Sequence, residues 1–259
     1  MKTGGTKSIF FVVGLLIVLI IIIFFAAVTS GTFGTESFDS PKPKVTESTG
    51  VLAVSAPEEK VLPETIDLNV PFTAQAPFGN WADARQDYGC EEASILMAVF
   101  WARGENLTKE VALKEIVAMS DFEKENYGDF HDTSIPDTVK VMEAYFGKEG
   151  NPYRVSYRYD IGVDDIKAEL AAGNVVIVPI DGTIVGNKYY LPPGPFRHQI
   201  VVRGYDDGTE EFITNDPGTT HGEGYRYGYK ILENALMDYP TGRNEPVIEK
   251  RSAMIVVEK

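Results

Sequence analysis

The stretch from Gln86 to Arg103, Gln-Asp-Tyr-Gly-Cys-Glu-Glu-Ala-Ser-Ile-Leu-Met-Ala-Val-Phe-Trp-Ala-Arg, sets the chain's single cysteine where a turn becomes a helix. Tyr88-Gly89 reads as the turn. Ala93, Leu96, Met97 and Phe100 follow at helical spacing and give one apolar face. A thiol at a helix N-terminus sits at the positive end of the macrodipole, beside N–H groups with no intrahelical acceptor. Both features favour the thiolate, the form a nucleophile needs. A buried structural cysteine is the rival reading that this stretch alone leaves open.

Glu91 and Glu92 follow Cys90 directly, and nearby negative charge raises a thiol pKa. In the first helical turn their side chains are expected to point away from Cys90 and to suit the dipole, so only a modest penalty is expected. One cysteine leaves no internal disulfide. In a protein that faces outward, an unpaired cysteine points to a reactive thiol.

Outward placement follows from the N-terminus. Residues 9–28 are an apolar run broken only by Gly14. Such a run spans about 30 Å as a helix, the thickness of a bilayer core. A signal peptide is the alternative, but its apolar core is usually only about 7–15 residues. Lys2 and Lys7 precede the run, which places residues 1–8 in the cytoplasm and the bulk of the chain outside it. Residues 29–66 are rich in Ser, Thr, Pro, Lys and Glu and read as a flexible tether. Residues 67–259 remain as the globular domain. The net charge of -14 makes the chain a poor candidate for nucleic-acid binding, which needs clustered Lys and Arg.

Within the domain, Leu68, Val70 and Phe72 alternate with polar residues or Pro71 as an extended lead-in, and 73–87 reads as loop. Helices are expected from Cys90 to Gly104, over 108–120, and from an N-cap at Ser134 to Phe146. The segment 121–133 reads as an acidic, aromatic loop. A strand at 154–159 and a helix at 163–172 follow. The second half changes character: 175–180 (Val-Val-Ile-Val-Pro-Ile), 199–204, 211–215 and 253–257 read as strands, with a helix at 229–237. Helices first and an antiparallel sheet after is an α+β order.

The hairpin of 199–204 and 211–215 carries the chemistry. With Asp206 and Thr209 flanking its turn, His198 faces about Pro217, so His198 and Asp216 are expected as neighbours. An imidazole held by a carboxylate is fixed in one tautomer, and its free nitrogen can take a thiol proton. Cys90, His198 and Asp216 then form nucleophile, base and orienting group. His131, followed by Asp132, and His221, in a Gly-rich loop, compete for the role of base. No pair among the three histidines has the usual metal-ligand spacing. An oxyanion hole draws one donor from the Cys90 N–H and a second from Gln75 or Gln86.

Three segments together resemble a known family: Val70-Pro71-Phe72-Thr73-Ala74-Gln75, Gly89-Cys90-Glu91-Glu92-Ala93-Ser94, and His198 to Asp206 with Asn215-Asp216-Pro217-Gly218. The set is similar to the peptidase-like domains related to bacteriocin-leader (double-glycine) peptidases, a branch of the papain-like cysteine peptidases. That resemblance implies a papain-like fold over roughly 67–259, with a helical part bearing the cysteine and an antiparallel sheet bearing His and Asp. It implies Cys90 as nucleophile, His198 as base, Asp216 as orienting acid and Gln75 as the oxyanion glutamine. No cofactor or metal is implied. The expected activity is thiol-dependent hydrolysis of peptide or amide bonds at the extracytoplasmic side of a membrane, on a protein or cell-envelope peptide. A non-catalytic peptide-binding module on the same fold is the alternative.

Overall fold

Helices lead and strands follow. The computed structural model describes residues 61–147 and 152–259, which belong to one compact unit, Glu59–Lys259. The apolar run at 9–28 and all but the last residues of the expected tether lie outside them. Among the described residues no helix is long and apolar enough to cross a membrane.

After a short strand β1 (Thr65–Asp67) come α1 (Ala84–Asp87), α2 (Cys90–Arg103), α3 (Lys109–Tyr127) and α4 (Ile135–Phe146). The expected N-cap at Ser134 is in place, and Thr108 makes another. Thr108 accepts from Val111 N at the start of α3, and Ser134 accepts from Asp137 N at the start of α4. Gly104 closes α2 in the left-handed conformation, φ 68°, which a side chain would resist.

Two of these helices differ from the sequence expectation. Helix α1 occupies the end of the expected loop, started by Asp83, whose side chain accepts from Arg85 N. Helix α3 runs on to Tyr127 rather than stopping at Ser120, because Phe122 packs edge-on against Tyr145 and Glu123 turns into the interior. Its buried positions are Ala112, Ile116, Met119, Ser120 and Glu123, a set at helical period along one face.

The second half supplies β2 (Arg154–Tyr159), α5 (Val163–Ala171), β3 (Val175–Ile180), β4 (His198–Asp206), β5 (Glu211–Asn215), β6 (Tyr225–Gly228), α6 (Tyr229–Ala235) and β7 (Ala253–Glu258). The strands form one antiparallel sheet in the order β2-β7-β3-β4-β5-β6. Strand β3 pairs with the first part of β4, and β1 pairs with its end. Strand β6, too short for a clear alternation, extends the sheet beyond the expected hairpin.

Each face of the sheet has its own core. Val175, Ile177, Val201, Ala253, Ile255 and Val257 pack with α2, α3 and α4. Val176, Val178, Ile200, Val202, Met254 and Val256 pack with α5 and α6 on the other side. Side chains of a strand alternate between faces, so strands covered on both sides must be apolar throughout. This is why β3 reads Val-Val-Ile-Val-Pro-Ile. Helix α2 lies against β4, β3 and β7 and beneath α3 and α4. It is therefore buried from Cys90 to Ala102 on every side, not on one face only.

Candidate active site

The cysteine and the histidine reach one cleft from opposite halves of the fold. Cys90 is the first residue of α2, and His198 is the first residue of the central strand β4. Both line a cleft of about 1200 Å³, together with Gln75 from the lead-in segment. Gln86 is buried but does not line it. Trp81, Leu191 and Phe196 stand on the cleft wall with 39%, 90% and 51% of their surfaces exposed, apolar area the core does not use.

Asp216 directly follows β5, one residue beyond the last paired position, Val201 with Asn215. The hairpin register differs from the sequence expectation. Asp206 pairs with Glu211, so the connecting loop is Asp207 to Glu210, and the pairing shifts between Val202 and Gly204. The longer loop and the bulge change the register, yet His198 Nε2 and Asp216 Oδ1 lie 2.8 Å apart. Oδ1 also accepts from Gly218 N at 2.9 Å. Oδ2 accepts from Tyr190 Oη and Tyr227 Oη, both at 2.6 Å, and from Asn187 Nδ2 at 3.1 Å. Burial pushes the Asp216 carboxyl up, but His198 and the two tyrosine hydroxyls pull it down further, and it sits below its ordinary value. A carboxylate only accepts. His198 Nε2 therefore carries the hydrogen, and Nδ1 is left as the basic nitrogen.

The imidazole is fixed by more than its carboxylate. Tyr190 meets it edge-on at 5.7 Å between centroids. A Cβ on Gly218 would lie 3.0 Å from His198 Cε1 and Nε2, so glycine is what lets this turn close over the ring. Tyr190, Tyr227 and Asn187 have no signal in the sequence that ties them to Asp216. They reach it from the β3–β4 connection and from β6. The competing histidines are placed elsewhere or engaged otherwise. His131 bonds Asp129 and stacks on Phe130, and His221 lines the cleft but stacks on Tyr189.

Gln75 ties the site together. Its backbone N donates to Pro217 O at 2.9 Å, beside Asp216. Its side-chain Nε2 donates to Gln86 O at 3.0 Å and Asp87 O at 2.7 Å, in the segment leading to Cys90. Cys90 itself supplies a backbone N–H at the first position of its helix, where no intrahelical acceptor exists.

The thiol does not behave as its helix position alone implies. Cys90 Sγ donates to Glu91 Oε2 at 2.9 Å, and among the described residues no hydrogen bond joins it to His198. Burial first, and the Glu91 charge second, push the Cys90 thiol well above its ordinary value. The expectation that Glu91 points away from Cys90 is thus corrected. Glu91 is buried, and Thr133 N at 3.2 Å and Tyr239 Oη at 2.8 Å hold its Oε1 inward, so that Oε2 turns to the sulfur. Glu92, bonded by Ser120 at 2.6 Å, and Glu123 are buried behind it.

The sequence matches the Peptidase_C39 like family over residues 67–244. No curated protein matches it. Among solved structures it is similar to a candidate C39-like peptidase from Bacillus anthracis, at 17% identity over 76% of this chain and 98% of that one, with a TM-score of 0.49. It is also similar to Xylellain, a cysteine protease from Xylella fastidiosa, at 17% identity over 76% of this chain and 87% of that one, with a TM-score of 0.43.

Proposed function

The chain belongs to the Peptidase_C39 like family, and from that membership we propose that it is a working thiol peptidase using Cys90, His198 and Asp216. The observation that carries this reading is the buried His198–Asp216 pair. An anion with five donors fixes one imidazole nitrogen and leaves the other free, in the cleft that also holds the cysteine. A site that only bound peptide would need no such pair.

His198 Nδ1 takes the thiol proton, and the sulfur attacks the scissile carbonyl carbon. The resulting oxyanion is met by the Cys90 N–H and by Gln75, which gives up its longer bond to Gln86 O. Preorganised donors of this kind stabilise a transition state more than a ground state. The C–N bond then breaks, the amine leaves with the proton from Nδ1, and a thioester remains on Cys90. Water, losing a proton to Nδ1, attacks the thioester; the C–S bond breaks, the acid leaves, and Nδ1 returns the proton to the sulfur. The exposed Trp81, Leu191 and Phe196 offer apolar contacts to the side chains of an extended peptide.

The apolar run at 9–28 is read as an anchor and 29–66 as a tether, which would hold the peptidase at the outer side of a membrane, facing protein or cell-envelope peptides. This placement rests on sequence alone. One observation favours a second reading, a non-catalytic peptide-binding module: the thiol is bonded to Glu91 rather than to His198.

Incubation of the full-length chain, in detergent, with a peptide library tests the two. Cleavage that falls by about 10³-fold or more in Cys90→Ala and in His198→Ala is expected. A parent that retains peptides but cuts none of them is instead a binding module.

A further inference from the structure

Among the described residues Glu91 is the charged group bonded to the sulfur, and the triad has no use for it. We propose that Glu91 is a positioning residue: it holds Cys90 as a resting, neutral thiol, and the sulfur becomes a nucleophile only when it leaves Glu91 Oε2 for His198. The inference rests on the peptidase reading for its consequence, and on the Cys90–Glu91 geometry for its content.

The geometry is over-determined on the Glu91 side. Oε1 is fixed by Thr133 N and Tyr239 Oη, so Oε2 has little freedom to move off the sulfur at 2.9 Å. A thiolate formed there would lie against a buried carboxylate, and two like charges so close do not both ionise. One proton is therefore shared between the two groups, and they titrate as a pair. Around Glu91 the other ionisable groups are Glu92 on α2, Glu123 on α3, Asp132 from the loop before α4, and Tyr239 from the segment after α6. The nearby cation, Arg197, is engaged by Asp132 at 2.6 Å. Glu92 and Glu123 keep their protons, so the charge beside Glu91 is that of Asp132, and it works against a thiolate at the Glu91 position.

Attack thus needs the S–H bond to break and an Nδ1–H bond to form on His198, leaving a thiolate and an imidazolium. The proton goes to the imidazole, and Glu91 keeps its charge. Rotation of the sulfur away from Oε2 separates the thiolate from that charge. A peptide seated in the cleft is the natural trigger, because its carbonyl gives the sulfur a new partner.

The test is the pH profile of Cys90 alkylation by iodoacetamide in the full-length chain. Glu91→Gln keeps an oxygen for Thr133 N and Tyr239 Oη and turns the sulfur's acceptor into an amide donor. The alkylation midpoint is expected to fall by about one pH unit or more, giving roughly tenfold faster labelling at pH 7. A midpoint that stays in place or rises in a folded variant overturns the proposal. Should the variant not fold, ¹³C NMR of the parent decides: the Glu91 carboxyl signal is expected to move on alkylation of Cys90, and an unmoved signal overturns the proposal. Cleavage that depends on Cys90 and His198 beside an unmoved midpoint removes the Glu91 role and leaves the peptidase. A lowered midpoint in a chain that cleaves nothing keeps the Glu91 role and removes the peptidase.

Discussion

Asp216 Oδ1 accepts from His198 Nε2 at 2.8 Å, with the acid fully buried and the histidine nearly so. A buried carboxylate ordinarily takes up a proton. This one stays ionised because every group facing it donates: an imidazole, a backbone N–H, an amide and two phenols. The pair is therefore a base whose free nitrogen is chosen by its surroundings. The tyrosines act on the imidazole at one remove, through the acid.

Removal of one phenol tests this. Asp216 has a folded pKa below its unfolded value near 3.9. Its contribution to stability is thus fully present above that unfolded value and is lost as pH falls through the folded one. Tyr227→Phe takes away one charge-assisted bond and raises the folded value. A loss of about 1.5–3 kcal/mol at pH 7 is expected, with acid unfolding shifted to higher pH. Urea melts at pH 7 and pH 3 check it. A loss of equal size at both would mean that the phenol acts by packing, not through the charge on Asp216.

How much of this was legible beforehand follows from the range of each signal. Cys90 lies at a turn-to-helix junction and His198 at the head of an apolar strand, and both signals are local. The sequence places Asp216 by a hairpin turn two residues shorter than the one that forms, and it carries no sign of the bulge. Only its position just past the strand end kept it within reach of His198. Tyr190, Asn187 and Tyr227 converge on the acid from separate segments, so nothing in a local pattern marks them. Glu91 departs from its expected orientation for a different reason. Its backbone position at a helix start suits an outward carboxylate, but Thr133 N and Tyr239 Oη pull the side chain inward. The apolar runs at 175–180 and 253–257 mark strands of a sheet, whereas the four-residue helix α1 and strand β6 are too short for periodicity to show.

The buried acids behind Cys90 have the opposite sign to Asp216. Burial first, then Glu91, pushes Glu92 up to about 8, and burial, then Glu92, pushes Glu123 up to about 10. Both keep protons in the folded state that the unfolded chain releases near pH 4.3. Their contribution is fully present below that unfolded value and is lost as pH rises towards the folded values. Glu123→Gln removes the group with the larger rise. The variant is expected to melt roughly 2–4 °C higher than the parent at pH 8, from about 1 kcal/mol, and within a degree or so of it at pH 4. Thermal melts across pH 4 to 9 measure this. A variant less stable than the parent at pH 8 would mean that Glu123 is ionised and paired in the fold.

Gln75 and Gln86 are both buried amides close to Cys90, and kinetics separates them. Gln75 lines the cleft, bonds Pro217 O through its backbone, and bonds Gln86 O and Asp87 O through its side chain. It thereby joins the loop that carries Asp216 to the segment that presents Cys90. Gln86 contributes its carbonyl to this arrangement, and its side chain lies away from the cleft. An oxyanion donor acts on the transition state, so Gln75→Ala is expected to lower kcat by about 10²-fold with KM little changed. It should also cost about 1–3 kcal/mol of stability, because two carbonyls lose their donor. Gln86→Ala keeps both carbonyls and their donor. Its turnover per folded molecule, counted by titration of Cys90, should stay within about threefold of the parent, a change of under 1 kcal/mol in barrier. Equal losses of kcat in the two variants would take the oxyanion role from Gln75. A loss in KM alone would make Gln75 a substrate contact that acts before the chemistry.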